Sequence, residues 1–177
     1  GFPREAIDHA LAARDWETAA DLLVEVAAQY ANAGEVTTLG AWLEALPEAV
    51  LLTRPPLCCL RVLPLMLTGR LDEAEAFVDR MESIWGEDPV QHARIIAVRS
   101  EFASFRGDVA RSTELAQKAL PLLLASDLQM RGSLGMSLGL MYWGLGRFEQ
   151  AEPLLRDGYR AAMEVGDLHP AITSLVV

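Results

Sequence analysis

The side chains of this 177-residue chain best suited to engaging another molecule are Trp143, Ser133 and Ser137 and, one repeat earlier, Arg94, Glu101 and Ser104. An aromatic ring beside hydroxyls, one guanidinium and one carboxylate can hold a small polar ligand such as a sugar or a peptide terminus. The ring covers the apolar face of such a ligand, and the polar groups fix its orientation. Met136, Leu140 and Phe105 fall on the same expected groove. The competing reading is that Trp143 packs between hairpins and the polar residues are ordinary surface.

Other chemistry is hard to assemble. Gly132, Gly135, Gly139, Gly144 and Gly146 are close together but lack the Gly-Lys-Ser/Thr ending of a phosphate loop and follow no strand. Because glycine inside a helix costs up to about 1 kcal/mol relative to alanine, they point instead to helices in close approach. There is no Gly-x-Ser-x-Gly elbow and no His-Glu-x-x-His. His9, His92 and His169 lie far apart, and Cys58 and Cys59 are adjacent, so no zinc spacing exists. The two cysteines read as small apolar residues of a reduced helix. Asp72, Glu73, Glu75, Asp79 and Glu82 are spaced as a solvated face, and Glu152 and Arg156 stand at a favourable i,i+4 step. The expectation is a binding protein: not an enzyme, with no catalytic residue, metal or cofactor in this segment.

The elements that would position these residues are all helical. Apolar residues recur at three- and four-residue steps, which predicts helices over 5–13, 16–31, 35–46, 57–67, 71–85, 90–106, 109–124, 130–145 and 148–165. Asp15 and Asp108 are expected N-caps, and Gly34 a helix C-terminal glycine. Leu71, Ala74, Val78, Met81 and Trp85 form the expected inner stripe of one helix. Residues 51–56, ending in Pro55 and Pro56, read as an irregular connection, because two prolines cannot continue a helix from upstream. Pro64 and Pro153 should bend the helices that contain them. Gly166 to Pro170 is expected to lead into one more helix. No alternating, strand-like segment competes.

Aligning the turns shows a repeat. Leu71, Val109 and Phe148 each follow a turn, at steps of 38 and 39 residues, and three residues later come the small Ala74, Ser112 and Ala151. The pattern Leu138-Gly139…Tyr142…Gly146-x-Phe148…Ala151…Leu155 is of tetratricopeptide type, with a period slightly longer than the usual ~34 residues. The expected fold is all-α: a right-handed superhelix of antiparallel helix hairpins, a TPR-like α-solenoid forming a single domain over 1–177. Within it, 1–54 should be irregular helices and 55–177 regular hairpins. Such a stack offers an extended concave surface for peptides, helices or small ligands.

Charge restricts the partners. With 25 acidic and 15 basic residues the net charge is −10, and Lys118 is the only lysine. Nucleic-acid binding needs clustered cations to neutralise phosphates, so direct binding to DNA or RNA is not expected of this segment. Hydrophobic residues make up 51% of the chain and the mean hydropathy is +0.19, ample for a core. No apolar run approaches the ~20 residues that span a bilayer. No basic segment precedes an apolar run as in a signal peptide. A cytoplasmic location without membrane contact is expected. The opening Gly1-Phe2-Pro3 and the apolar ending Ser174-Leu175-Val176-Val177 read as the ends of a piece of a longer chain.

The N-terminal part is more distinctive than a generic repeat. The run from Ala6 through Ala10-Leu11-Ala12-Ala13-Arg14-Asp15-Trp16 to Leu22-Leu23 resembles the opening of the helical-repeat sensor domain of the large ATP-binding LuxR-type regulators, the MalT-like family. Leu43-Glu44-Ala45-Leu46-Pro47, then Arg54-Pro55-Pro56-Leu57, then Gly69-Arg70-Leu71-Asp72-Glu73-Ala74 follow in that family's habitual order. The resemblance implies a sensor or protein-interaction arm of a multidomain bacterial transcription activator, taking a small-molecule effector or a protein or peptide partner. ATP would bind only in a separate upstream domain, a LuxR-type helix-turn-helix would follow, and the full-length protein would self-associate on DNA. A free-standing TPR adaptor that binds peptides or helices is the alternative.

Overall fold

The computed structural model describes residues 3–165. Ten helices and no strand occur among them: α1 (Pro3–Ala12), α2 (Trp16–Asn32), α3 (Val36–Ala45), α4 (Glu48–Leu51), α5 (Pro55–Leu67), α6 (Leu71–Trp85), α7 (Pro89–Phe105), α8 (Val109–Ala119), α9 (Leu128–Gly144) and α10 (Phe148–Val165). None is long and apolar enough to cross a membrane. The further helix expected beyond residue 166 lies outside the described residues.

One turn design recurs five times. Arg14, Gly34, Gly69, Gly107 and Gly146 all have positive φ, between 58° and 77°. After each, the next amide reaches back five residues: Asp15 to Ala10, Glu35 to Tyr30, Arg70 to Leu65, Asp108 to Ala103 and Arg147 to Tyr142, at 2.8–2.9 Å. The left-handed residue itself bonds three residues back, as from Gly107 to Ser104. These two bonds define the Schellman ending, which satisfies the last carbonyls of a helix. Glycine serves four of the five turns because left-handed backbone burdens any residue with a Cβ. The next helix begins two residues after each turn, with Asp15 and Asp108 accepting from Thr18 and Arg111 amides as N-caps.

The chain divides into two compact units, one ending at Met81 and the other beginning at Glu82, within α6. In the first, α5 packs on α2 and α3. Ile7, Leu23, Leu39, Leu43, Leu51 and Leu57 are fully buried. Trp42 donates its indole N–H to Asp8 at 2.7 Å and meets Tyr30 edge-on at 4.8 Å, tying α3 to α1 and α2. Arg54 bridges Glu17 and Asp21 of α2. Just before the expected irregular stretch stands α4, one turn started by Pro47 and anchored by buried Leu51, where that stretch begins. Pro55 and Pro56 open α5, where their missing amides would have no helical partner. Cys58 and Cys59 form no disulfide among the described residues; Cys58 is buried on the Leu51 carbonyl, and burial pushes its thiol pKa up.

In the second unit, α7 packs on α8 and α9 on α10. Buried Ser100 donates to the Ser112 carbonyl at 2.8 Å, which removes the penalty of burying its hydroxyl. The small positions of the repeat, Ala74, Ser112 and Ala151, are all buried. The α9–α10 contact is closer still. A Cβ on Gly139 would lie 2.8 Å from Leu155, and one on Gly158 would lie 3.2 Å from the Gly132 carbonyl. Thus glycine from both helices, with Ala161 facing Gly132, makes this interface. Helix α8 stops at Ala119, five residues short of the expected end, because Pro121 has no amide to continue the ladder.

Candidate functional site

Helices α7 and α9 are each the first of a hairpin, and they touch in the second unit. Their side chains meet in two polar pairs. Ser133 donates its hydroxyl to Glu101 Oε1 at 2.8 Å. Arg94 Nε donates to Asp127 Oδ2 at 2.6 Å, and its Nη1 reaches Gln91 at 3.3 Å. Only 20% of the Arg94 side chain and 14% of the Asp127 side chain are exposed, so this ion pair is far drier than Arg156–Glu152 or Lys118–Glu114 on the surface. Arg94 and Glu101 stand two helical turns apart, about 10 Å along α7.

The loop that delivers Asp127 is held from beneath. Arg131 Nη1 donates to the carbonyls of Leu120 and Leu123, at 3.0 and 3.1 Å, satisfying groups left open where α8 ends. Asp127 and Arg131 did not emerge from sequence reasoning. Asp127 carries one local signal, an acidic residue immediately before a helix, but its use as an ion-pair partner depends on α7 lying alongside.

Burial dominates the Glu101 environment and raises its carboxyl pKa above the ordinary value; the Ser133 hydroxyl opposes this in part. The folded state therefore holds this proton more tightly than the unfolded chain does. Stability from this group is fully present below the usual carboxylate range and is lost as pH rises through the raised value. Glu101→Gln keeps an acceptor for Ser133 without the charge. The expected result is a higher melting temperature than the parent at pH 7 and a difference that vanishes below about pH 4. Thermal melts at both pH values check it.

The other expected site residues are distributed differently. Ser137 is half-buried, one turn beyond Ser133, and Ser104 is exposed near the end of α7. Trp143 is not gathered with them. It stands about 80° around α9 from Ser133 at 3.6 residues per turn. There it meets Phe148 edge-on at 4.8 Å and remains 42% exposed. Phe105 is exposed as well, whereas Met136 is 5% exposed, with its methyl close to Gly158 on the α10 side. The groove therefore resolves into a polar α7–α9 face and a separate aromatic pair at the α9–α10 turn. The face offers hydroxyl, carboxylate and guanidinium groups for hydrogen bonding. Among the described residues no group of three or more His, Cys, Asp or Glu could hold a metal ion.

Comparison of the sequence with known proteins finds relatives. The chain is 28% identical over 181 residues to the HTH-type transcriptional regulator MalT of Yersinia enterocolitica, a match covering 99% of this chain and 20% of the relative. The corresponding regulator of Cronobacter sakazakii is 35% identical over 133 residues, covering 74% of this chain and 15% of the relative. That of Serratia proteamaculans is 26% identical over 181 residues, again 99% and 20%. The chain spans about a fifth of the length of these relatives or less. No family model matches it. No solved structure does either.

Proposed function

We propose that this chain, MalT-like over nearly its whole length, is the sensing and interaction arm of a transcriptional regulator. The observation that carries the reading is the relationship itself: nearly all of this chain matches one-fifth of a regulator named for its helix-turn-helix. A net charge of −10 agrees with a segment that leaves DNA contact to another module. In this reading the hairpins stack as a right-handed TPR-like superhelix, supported by the 38- and 39-residue steps and the fivefold turn design. The protein works in the cytoplasm, and ATP and DNA are bound by modules outside this segment.

The α7–α9 face takes a small polar effector or a peptide terminus, using Glu101, Ser133 and Arg94, with Ser104, Ser137 and Trp143 at its margins. An effector that prefers one arrangement of the helices shifts the regulator toward it by its differential affinity, about 1–3 kcal/mol in typical coupling. The alternative, a free-standing adaptor, has the same hairpins without ATPase or helix-turn-helix modules. The complete reading frame separates the two.

Calorimetry with a panel of neutral oligosaccharides and short peptides tests the site. At least one class should bind the parent, and Glu101→Ala should weaken that binding tenfold or more, about 1.4 kcal/mol. Binding that is indifferent to Glu101→Ala, Ser133→Ala and Trp143→Ala together would remove this face from the mechanism.

A further inference from the structure

A second hollow lies in the other unit, between α3 and α5, with a volume of about 410 Å³. That is within the about 300–1,000 Å³ of small-molecule sites. Val36, Ala41, Pro64 and Leu65 give it apolar walls. Gly40 lets the two helices approach there: a Cβ at that position would lie 3.1 Å from the Pro64 ring. Arg61 also lines the hollow, and its guanidinium is only partly used. Nη1 donates to the Leu43 carbonyl at 2.9 Å, while Nε is buried with no hydrogen-bond partner among the described residues.

We propose that this hollow binds an amphipathic monocarboxylic acid, its hydrocarbon body against the apolar walls and its carboxylate on the Arg61 guanidinium that lines it. A guanidinium hydrogen bond to a carboxylate is charge-assisted and about twice as strong as a neutral one. Arg61 is held for the purpose, its guanidinium carbon 5.1 Å from the centre of the Phe77 ring. The rim selects against higher charge. Arg70 there is already engaged by Glu44 and Glu73, and both carboxylates repel a dianion more than a monoanion. The site is built entirely within the first unit and does not rest on the effector reading of the α7–α9 face.

Titrating the 177-residue chain with octanoate, octan-1-ol and inorganic phosphate, followed by heteronuclear NMR, tests this. Octanoate should give saturable shifts at Val36, Gly40, Ala41 and Leu65 with half-saturation at about 1 mM or below. Octan-1-ol should bind at least about tenfold more weakly, a 1.4 kcal/mol preference for the acid. Phosphate should leave these signals unmoved. Arg61→Met should abolish the preference for acid over alcohol. Because that change also removes the hydrogen bond to Leu43, Ala41→Trp is the second variant: it fills the mouth, leaves Arg61 untouched and should abolish octanoate binding. No saturable shift, equal binding of acid and alcohol, or undiminished octanoate binding by Ala41→Trp would overturn the proposal.

Discussion

Replacing Gly158 with leucine is expected to destabilise the chain by about 2–3 kcal/mol, the upper part of the range for overpacking a close contact. The reason lies in what surrounds the position. A Cβ there would stand 3.2 Å from the Gly132 carbonyl and 3.3 Å from both the Met136 amide nitrogen and its methyl. Two of those three atoms are backbone, so no rotamer change relieves the crowding and α9 and α10 must separate. Separation then loosens Gly139 on Leu155 and Gly132 on Ala161, the remaining close approaches of the hairpin. Leucine regains up to about 1 kcal/mol of helix propensity, which is already deducted from the stated range. Gly144→Ala is the control. Nothing lies within 4 Å of its added methyl, so it should be neutral or stabilising. Urea unfolding of both variants against the parent measures the difference, and a neutral Gly158→Leu would refute the close-packed hairpin.

The second large effect is expected at Phe77→Ala, about 3–5 kcal/mol, the usual cost of emptying a buried phenylalanine site. Phe77 is 1% exposed and is the largest of the fully buried side chains. Its ring also faces two cations, Arg61 at 5.1 Å and Arg80 at 5.5 Å. Removing the ring leaves a cavity and takes the platform from beneath Arg61. Phe77→Leu separates these contributions. It retains most of the volume and loses the ring face, so its cost should fall near 1–2 kcal/mol, with about 0.5–1 kcal/mol for each cation–ring attraction removed. Denaturant midpoints at unchanged slope check the order; equal losses for alanine and leucine would mean that the volume of Phe77 is unimportant.

Local chemistry was largely legible. Turn glycines, aspartate caps and three- and four-residue apolar spacing act over a few residues, and they placed nine helices to within a few residues of where they stand. The exceptions were local too. The single turn α4 was hidden behind Pro47, and α8 was extended past the proline that ends it. The family resemblance was legible in 6–76, where irregular punctuation such as Arg54-Pro55-Pro56 is more distinctive than repeat grammar.

What tertiary structure alone decided is which of these faces meet. The expected inner stripe of α6 ran from Leu71 to Trp85 and passed over Phe77, although Ala74, Phe77, Val78 and Met81 are the residues buried. In α10, Gly158 approaches α9. Ser133 finds Glu101 across 32 residues, and Arg94 finds Asp127 across 33. The helical period determines which residues share a face, and so which are available together. It does not determine the rotation and axial offset of one helix against the next. Those follow from how glycines, alanines and one or two large side chains interlock across the interface. A shift of one residue turns a helix by about 100° and would unmake every pair named here.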